Sequence, residues 1–263
     1  MSLLDSLVLV LEILADPRWF WVAAAAVFAA LVRGFTGFGA AMVFVPVASA
    51  IYEPKVAVVV LFIVDGVITF PMVFKAIHQC RWPDITCLAV GAALTIPLGV
   101  HVLLITDVVL LRWFISLSIL GLVAVLASGW HYKKRPPQMA CVGVGGVSGF
   151  AGGVANLYGP PLVLFWLGGQ SGAATVRANI IVFFAITAVV SGITYWWNGL
   201  FSAHTLSVSI GLMPIYAAAV WLGAQSFRRA SEALFRRFAL VLIALIAVAS
   251  LPGWRSLWHW VGQ

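Results

Sequence analysis

The stretch Arg33-Gly34-Phe35-Thr36-Gly37-Phe38-Gly39, followed by Pro46, interrupts a long apolar segment at residues 19–50. A second long apolar segment, 139–169, is interrupted by Gly149-Phe150-Ala151-Gly152-Gly153 and then by Asn156-Leu157-Tyr158-Gly159-Pro160-Pro161. One membrane-spanning helix needs about 20 residues, and glycine and proline both disfavour a helix interior. We therefore predict a first broken element (19–50) and a second broken element (139–169), each either a re-entrant hairpin or a kinked crossing.

The composition is that of an integral membrane protein. Apolar residues make up 63% of the 263 positions and charged residues only 9%, and the mean hydropathy is +1.09. A soluble domain carries about 25% charged residues, so lipid must be the main solvent. The net charge of +7 comes from basic residues in short loops between apolar runs, as in membrane proteins. This pattern excludes nucleic acid as a partner.

Six further apolar runs are long enough to cross a bilayer, which gives about eight apolar segments in all. They lie at 56–74, 85–105, 113–130, 178–197, 204–224 and 234–252. Tryptophan residues fall at or just beyond most of the predicted ends, where their rings favour the headgroup region. We predict an all-α protein with interfacial segments at 1–18 and 253–263.

Matching residues in the two halves of the chain indicate an internal duplication. The first repeat would be 19–130 and the second 139–252, joined by a linker at 131–138. In the broken elements, the matches lie 115 positions apart: Gly34, Phe35, Gly37 and Pro46 with Gly149, Phe150, Gly152 and Pro161. Later matches lie 124 positions apart: Leu98-Gly99, Leu110, Arg112 and Phe114 with Leu222-Gly223, Leu234, Arg236 and Phe238.

Loop charges predict that the two repeats face opposite ways. The basic loops 131–138 and 225–237 should be cytoplasmic, by the positive-inside rule. Equivalent loops of the two halves then fall on opposite sides of the membrane. Each repeat therefore combines three transmembrane helices with one broken element, in a multi-pass protein of the cell (inner) membrane.

The broken elements are the predicted substrate site, located at the membrane midplane between them. Irregular backbone survives inside a membrane only when it is buried in protein or lines a wet cavity, and paired broken helices build transporter sites. Helix N-termini favour anions, and glycine lets a ligand approach the backbone. The alternative is small-residue helix packing, as for Gly145, Gly149 and Gly153. The predicted substrate-binding residues are Arg33, Gly34, Thr36, Gly37, Gly39, Gly149, Gly152, Asn156, Tyr158 and Gly159.

Polar residues in the spans form a second group of candidates, because burying a charge in a membrane is costly. Asp65 lies in mid-span and is the candidate for proton coupling, with a structural hydrogen bond as the alternative. Arg33 either binds an anion or extends to the interface. Secondary candidates for binding are Lys55, Arg177 and Asn179, and anchoring at the interface is the alternative for the two cations.

The remaining residue types argue against catalysis and cofactors. Cys80, Cys87 and Cys141 form no recognisable disulfide framework, and their spacing with His78 matches no metal site. There is no metal-binding His-Glu-x-x-His, no pair of mid-membrane carboxylates and no phosphate loop. We expect no cofactor and no enzymatic activity, which makes an intramembrane enzyme the weakest alternative.

The element at 34–46, its partner at 149–161 and the eight-segment, two-repeat plan resemble the TauE/SafE sulfite exporter family, from about residue 20 to residue 252. The resemblance implies a permease for sulfite, sulfonates or related sulfur-containing or organic anions. An anion channel would share the same cavity and is the main alternative. The substrate, the direction of transport, the coupling ion and the oligomeric state, including a homodimer, are left open by the sequence.

Overall fold

All regular structure in the described part of the chain is α-helical, which confirms the predicted class. The computed structural model describes residues 16–128, 138–167 and 173–226, together with Val248. The helices are α1 (Pro17–Thr36), α2 (Ala40–Ile51), α3 (Pro54–Ala76), α4 (Trp82–Ile105), α5 (Val108–Ala127), α6 (Gln138–Ala155), α7 (Gly159–Leu167), α8 (Ala173–Trp197) and α9 (Ala203–Ser226).

Most of the predicted spans coincide with one helix each. Within the described ranges, four helices are long and apolar enough to cross a membrane, namely α3, α4, α8 and α9. The predicted span 113–130 overlaps α5, which runs from Val108 to Ala127. Several predicted segments lie mostly or wholly outside the described residues. They are the span 234–252 apart from Val248, most of the linker 131–138, most of the loop 225–237, the tail 253–263 and nearly all of 1–18.

Both broken elements contain two helices, as predicted. The first break, defined as residues 37–39, separates α1 from α2, and the second break, residues 156–158, separates α6 from α7. Gly37 and Asn156 end their helices in the left-handed conformation, with φ of 81° and 56°. Each donates its backbone N–H to the carbonyl four residues earlier, on Arg33 and Gly152. This is a common way of ending a helix with a residue of positive φ.

The helix ends at the two breaks lie 119 residues apart, one helical turn more than the spacing of 115 at which the two sequences match. The helix ends Thr36 and Ala155, and the helix starts Ala40 and Gly159, are each 119 positions apart. A shift of four residues keeps side chains on nearly the same helix face, because a turn holds 3.6 residues. Of the four residues matched at 115, only Gly34 also meets an identical residue, Gly153, at a spacing of 119.

The chain forms two compact units, each with helices from both predicted repeats. The first contains α1, α2, α9, α3 as far as Val64 and α5 as far as Val123; the second contains α4, α6, α7, α8 and the rest of α3. In the first unit α1 packs against α2 and α9. In the second, α4 packs against α6 and α8, and α7 packs against α6 and α8.

Glycines form the main helix crossing in each unit. In the first, a Cβ added to Gly34 would meet the backbone of Val220 and Ala224, and one added to Gly223 would meet that of Leu31. These three contacts have counterparts in the second unit. The corresponding residues are Gly153 against Ile96 and Val100, and Gly99 against Phe150. The same local geometry in both units fits a duplication, while the inverted orientation of the repeats stays a prediction.

A disulfide between Cys87 and Cys141 joins α4 to α6, with the two Cα atoms 5.9 Å apart. The sequence-based expectation of no disulfide is therefore wrong. The two cysteines are separated by 54 positions, and they meet because α4 and α6 pack closely where Gly91 faces Val142 and Gly145 faces Leu88. Cys80 is free.

Candidate functional site

Arg33 lies in the last turn of α1, beside the first break. Its side chain is only 6% exposed, and its guanidinium donates a hydrogen bond to the carbonyl of Gly37. At this level of burial the Arg33 side chain is packed inside the protein. The cation also suits the partial negative charge at the C-terminus of α1. The Arg33 side chain therefore places a buried positive charge at the break.

The backbone that follows Arg33 supplies hydrogen-bond donors. Gly39 precedes α2 with φ 92°, and the first N–H groups of α2, on Ala40 and Ala41, have no acceptor within the helix. A Cβ added to Gly37 would meet nothing within 4 Å among the described atoms. The side chain of Thr36 lies outside the described residues. The first break thus combines a guanidinium, a helix N-terminus and open space beside Gly37, a set of features suited to a small anion.

The second break is built around a buried tyrosine. The hydroxyl of Tyr158 lies 2.6 Å from the Oγ of Ser191 on α8, and Ser148 Oγ donates to the Tyr158 carbonyl at 2.7 Å. The ring lies against Gly152, where an added Cβ would overlap three ring atoms. Asn156 is half-buried and Gly159 is buried at the start of α7. The second break is therefore tightly packed and rich in hydroxyl groups.

The two breaks differ in their chemistry although their backbones correspond. At the spacing of 119, the counterpart of Arg33 is Gly152, so the second break lacks the guanidinium of the first. Pro160 and Pro161 occupy the second and third positions of α7, and proline has no backbone N–H. The N-terminus of α7 consequently offers fewer donors than that of α2. The donors expected to bind an anion are therefore concentrated in the first break.

Two predicted binding glycines lie in helix crossings. Gly34 faces α9, and a Cβ added to Gly149 would press against the backbone of Ala92 on α4. The same holds for Gly145 and Gly153, which face Leu88 and Ile96. Small-residue packing, the alternative considered for such glycines, describes these positions in the structure.

The other predicted polar residues lie in different places in the structure. Asp65 is half-buried in α3, and its backbone carbonyl accepts the hydroxyl of Thr69 at 2.7 Å. Lys55 is half-buried near the start of α3, and Arg177 is exposed near the start of α8. Asn179 is fully buried, and its Oδ1 accepts the backbone N–H of Arg81 at 2.7 Å, which ties α8 to the residue preceding α4. Asn179 therefore has a clear structural contact in the loop before α4.

Sequence reasoning missed the polar side chains that face the second break. Ser148 on α6 and Ser191 on α8 are fully buried, and Thr187 and Tyr195 flank Ser191 at four-residue spacing. That spacing of polar residues in an apolar helix was a readable signal, because positions four apart share one face. Within the described ranges, no group of three His, Cys, Asp or Glu residues could hold a metal ion.

Comparison with known proteins gives the family. The family model described as sulfite exporter TauE/SafE matches residues 22–250, which is most of the chain and nearly the whole range of the resemblance. Comparisons with curated proteins and with solved structures find no match. The helical fold, the long apolar helices and the two broken elements agree with a multi-pass membrane transport protein. The chain belongs to the sulfite exporter TauE/SafE family.

Proposed function

We propose that this protein is a secondary transporter for a small oxyanion of the sulfite and sulfonate class, and that Arg33 and the N-terminus of α2 bind the anion. The family supports transport of sulfite or related anions. The observation that carries the site is the burial of Arg33, 6% exposed, at the break before α2. A buried guanidinium inside a membrane segment is costly enough to require a specific reason.

Charge and geometry at the first break favour an oxyanion over a cation or a neutral solute. A guanidinium can donate two parallel hydrogen bonds to one oxyanion, and the backbone N–H groups of Ala40 and Ala41 add donors from the helix N-terminus. The positive φ of Gly37 and Gly39 brings the backbone into this arrangement without side chains in the way. The substrate would approach from the open side of Gly37.

Thermal stabilisation of the purified protein by anions tests this site. We expect sulfite, kept anaerobic, to raise the melting temperature at constant ionic strength, because a ligand at 100 times its Kd adds about 2.7 kcal/mol of stability. Methanesulfonate, thiosulfate and acetate define the substrate class. The Arg33→Ala variant should lose the stabilisation, and Arg33→Lys should retain part of it.

Matched variants separate the site from general charge effects. Arg18→Ala removes an exposed arginine of the same helix and should leave the anion effect unchanged, since the Arg18 side chain is 71% exposed. Asn156→Gly keeps a residue tolerant of positive φ while removing the amide, and so tests whether that amide contributes. Full anion stabilisation in Arg33→Ala would refute the site assignment.

The mode of transport needs a separate measurement. In proteoliposomes a transporter saturates at slow turnover, whereas the anion channel considered as the alternative would show unitary conductance. We also propose an inverted orientation of the two repeats, with the loops 131–138 and 225–237 on the cytoplasmic side, and proton coupling through Asp65. The loop charges support this orientation, and the position of Asp65 in a long apolar helix supports the coupling.

A further inference from the structure

Helix α8 carries a buried row of hydroxyl groups. Thr187, Ser191 and Tyr195 are 2%, 0% and 0% exposed, and their spacing of four residues places them on one face. Polar groups inside a membrane helix are usually functional or satisfied by neighbouring groups. Thr187 is satisfied within its own helix, because its hydroxyl donates to the carbonyls of Phe183 or Phe184 at 3.1 Å. Ser191 instead faces another element.

Tyr158 in the second break is the partner of Ser191. Their oxygens are 2.6 Å apart and either can be the donor. One hydrogen bond between two hydroxyl groups uses one proton and leaves the second proton for another acceptor. The tyrosine cannot easily turn away, because its ring is held against Gly152 and its backbone carbonyl accepts Ser148 Oγ. The pair therefore has a fixed position and a spare donor.

Trp166 on α7 adds an indole N–H in the same unit. The side chain is 3% exposed, and its Nε1 has no hydrogen-bond partner among the described residues. Its ring packs edge-on against Phe183 of α8 at 6.5 Å, Phe183 packs with Phe184 at 6.4 Å, and Phe184 packs with Tyr158 at 6.0 Å. A buried N–H without an acceptor costs stability, so this aromatic cluster contains a donor that a bound acceptor would satisfy.

The sequence segment that carries these hydrogen-bond donors contains almost no charged residues. From residue 138 to residue 197, Arg177 is the only charged residue, and it is exposed near the start of α8. The spare hydroxyl proton of the Tyr158–Ser191 pair and the N–H of Trp166 are both hydrogen-bond donors. A ligand that matches them must bring acceptors. An oxyanion has several acceptor oxygens, each of which can accept a hydrogen bond from such donors.

We propose that Tyr158, Ser191 and Trp166 form a second, charge-neutral binding site for the transported oxyanion. This inference rests on the proposed function, and it assigns the second break a role different from that of Arg33. Conduction through a membrane protein requires sites weak enough to release the ion as well as to bind it. A site of neutral donors meets that requirement better than one built on a guanidinium.

Variants that remove one donor each test the neutral site. The substitutions are Tyr158→Phe, Ser191→Ala and Trp166→Phe, each of which keeps most of the packing. Sulfite affinity is measured from concentration-dependent thermal stabilisation, and sulfite uptake is measured in proteoliposomes. Loss of a hydrogen bond to a charged ligand should weaken binding or raise the KM by about tenfold or more. The double variant Tyr158→Phe/Ser191→Ala should be little worse than either single one, because the two hydroxyl groups act as a unit.

The matched control is Thr187→Val, which removes a buried hydroxyl of the same row whose partners lie in its own helix. We expect its sulfite affinity and KM to stay within about twofold of the wild type. If Tyr158→Phe and Ser191→Ala change only the melting temperature without sulfite, the hydroxyl pair is structural and the inference is overturned. If Tyr158→Phe, Ser191→Ala and Trp166→Phe all keep the sulfite affinity and KM of the wild type while Arg33→Ala abolishes binding, this second site is wrong and the proposed function stands. If the wild type responds to none of the anions, the proposed function itself fails.

Discussion

The contact between Gly152 and the ring of Tyr158 is the strictest steric requirement at the second break. Gly152 lies on α6, and a Cβ added there would overlap Cε1, Cδ1 and Cζ of the tyrosine. We predict that Gly152→Ala displaces the ring and breaks the 2.6 Å contact between Tyr158 and Ser191. The substitution adds a single methyl group to the helix, where alanine would otherwise be favourable.

The size of the effect follows from the geometry. Two carbon atoms in contact need about 3.5 Å, so the ring must retreat by roughly 1.5 Å. A hydroxyl–hydroxyl bond of this kind tolerates lengthening by only a few tenths of an ångström. Overpacking a buried site costs about 1–3 kcal/mol, and the lost hydrogen bond costs about 1 kcal/mol more. We expect a loss of about 2–4 kcal/mol, or roughly 4–16 °C in melting temperature.

Thermal unfolding of the purified protein in detergent measures this loss. The matched control is Gly143→Ala on the same helix, where an added Cβ meets no described atom within 4 Å. That substitution should be neutral or stabilise the protein by up to about 1 kcal/mol, the helix propensity difference between glycine and alanine. Gly152→Ala should also weaken sulfite binding if Tyr158 belongs to the binding site.

A double-mutant cycle can refute the reasoning. In a Tyr158→Leu background the smaller side chain leaves room for the added methyl group, so Gly152→Ala should cost less than about 1 kcal/mol there. Equal costs in both backgrounds would show that the ring of Tyr158 is not the obstacle. Wild-type stability in the single Gly152→Ala variant would have the same consequence.

Three further predictions concern the disulfide, the free cysteine and the acidic residue of α3. Cys87→Ser removes the disulfide to Cys141, which spans 54 positions, and should lower the free energy of unfolding by up to about 4 kcal/mol through chain entropy. Dithiothreitol should destabilise the wild type but not this variant. Equal melting temperatures of the wild type and the variant would contradict a disulfide. Two crossings, α4 and α5, separate Cys80 from the proposed cytoplasmic linker 131–138, so a membrane-impermeant maleimide should label Cys80 from the cytoplasmic side only. Because burial raises the pKa of this thiol, labelling should be slow at neutral pH and accelerate as the pH rises. Labelling of Cys80 in intact cells would contradict the proposed orientation. Asp65→Asn should remove the pH dependence of sulfite uptake in proteoliposomes, and unchanged uptake with the same pH profile would exclude Asp65 as the coupling residue.

The local features of this protein could be read from its sequence. The broken elements lie where glycine and proline interrupt long apolar runs, and the helix ends at Thr36 and Ala155 fall inside them. Helix ends and membrane spans depend on neighbouring residues, so hydropathy and residue type predict them well. The same logic singled out Arg33, because a charge in an apolar segment is conspicuous without any knowledge of its contacts.

Contacts between distant segments were decided only by the tertiary structure. The spacing of the helix ends at the two breaks, 119 rather than the 115 of the sequence match, is seen only in the structure. The pairing of Cys87 with Cys141 and of Tyr158 with Ser191 depends on which helices cross and how closely. Backbone approach at glycine positions sets those crossings. A glycine in the sequence therefore marks a position that another group can approach closely. Only the packing of the helices determines whether the position is occupied by a neighbouring backbone, by an aromatic ring or by neither.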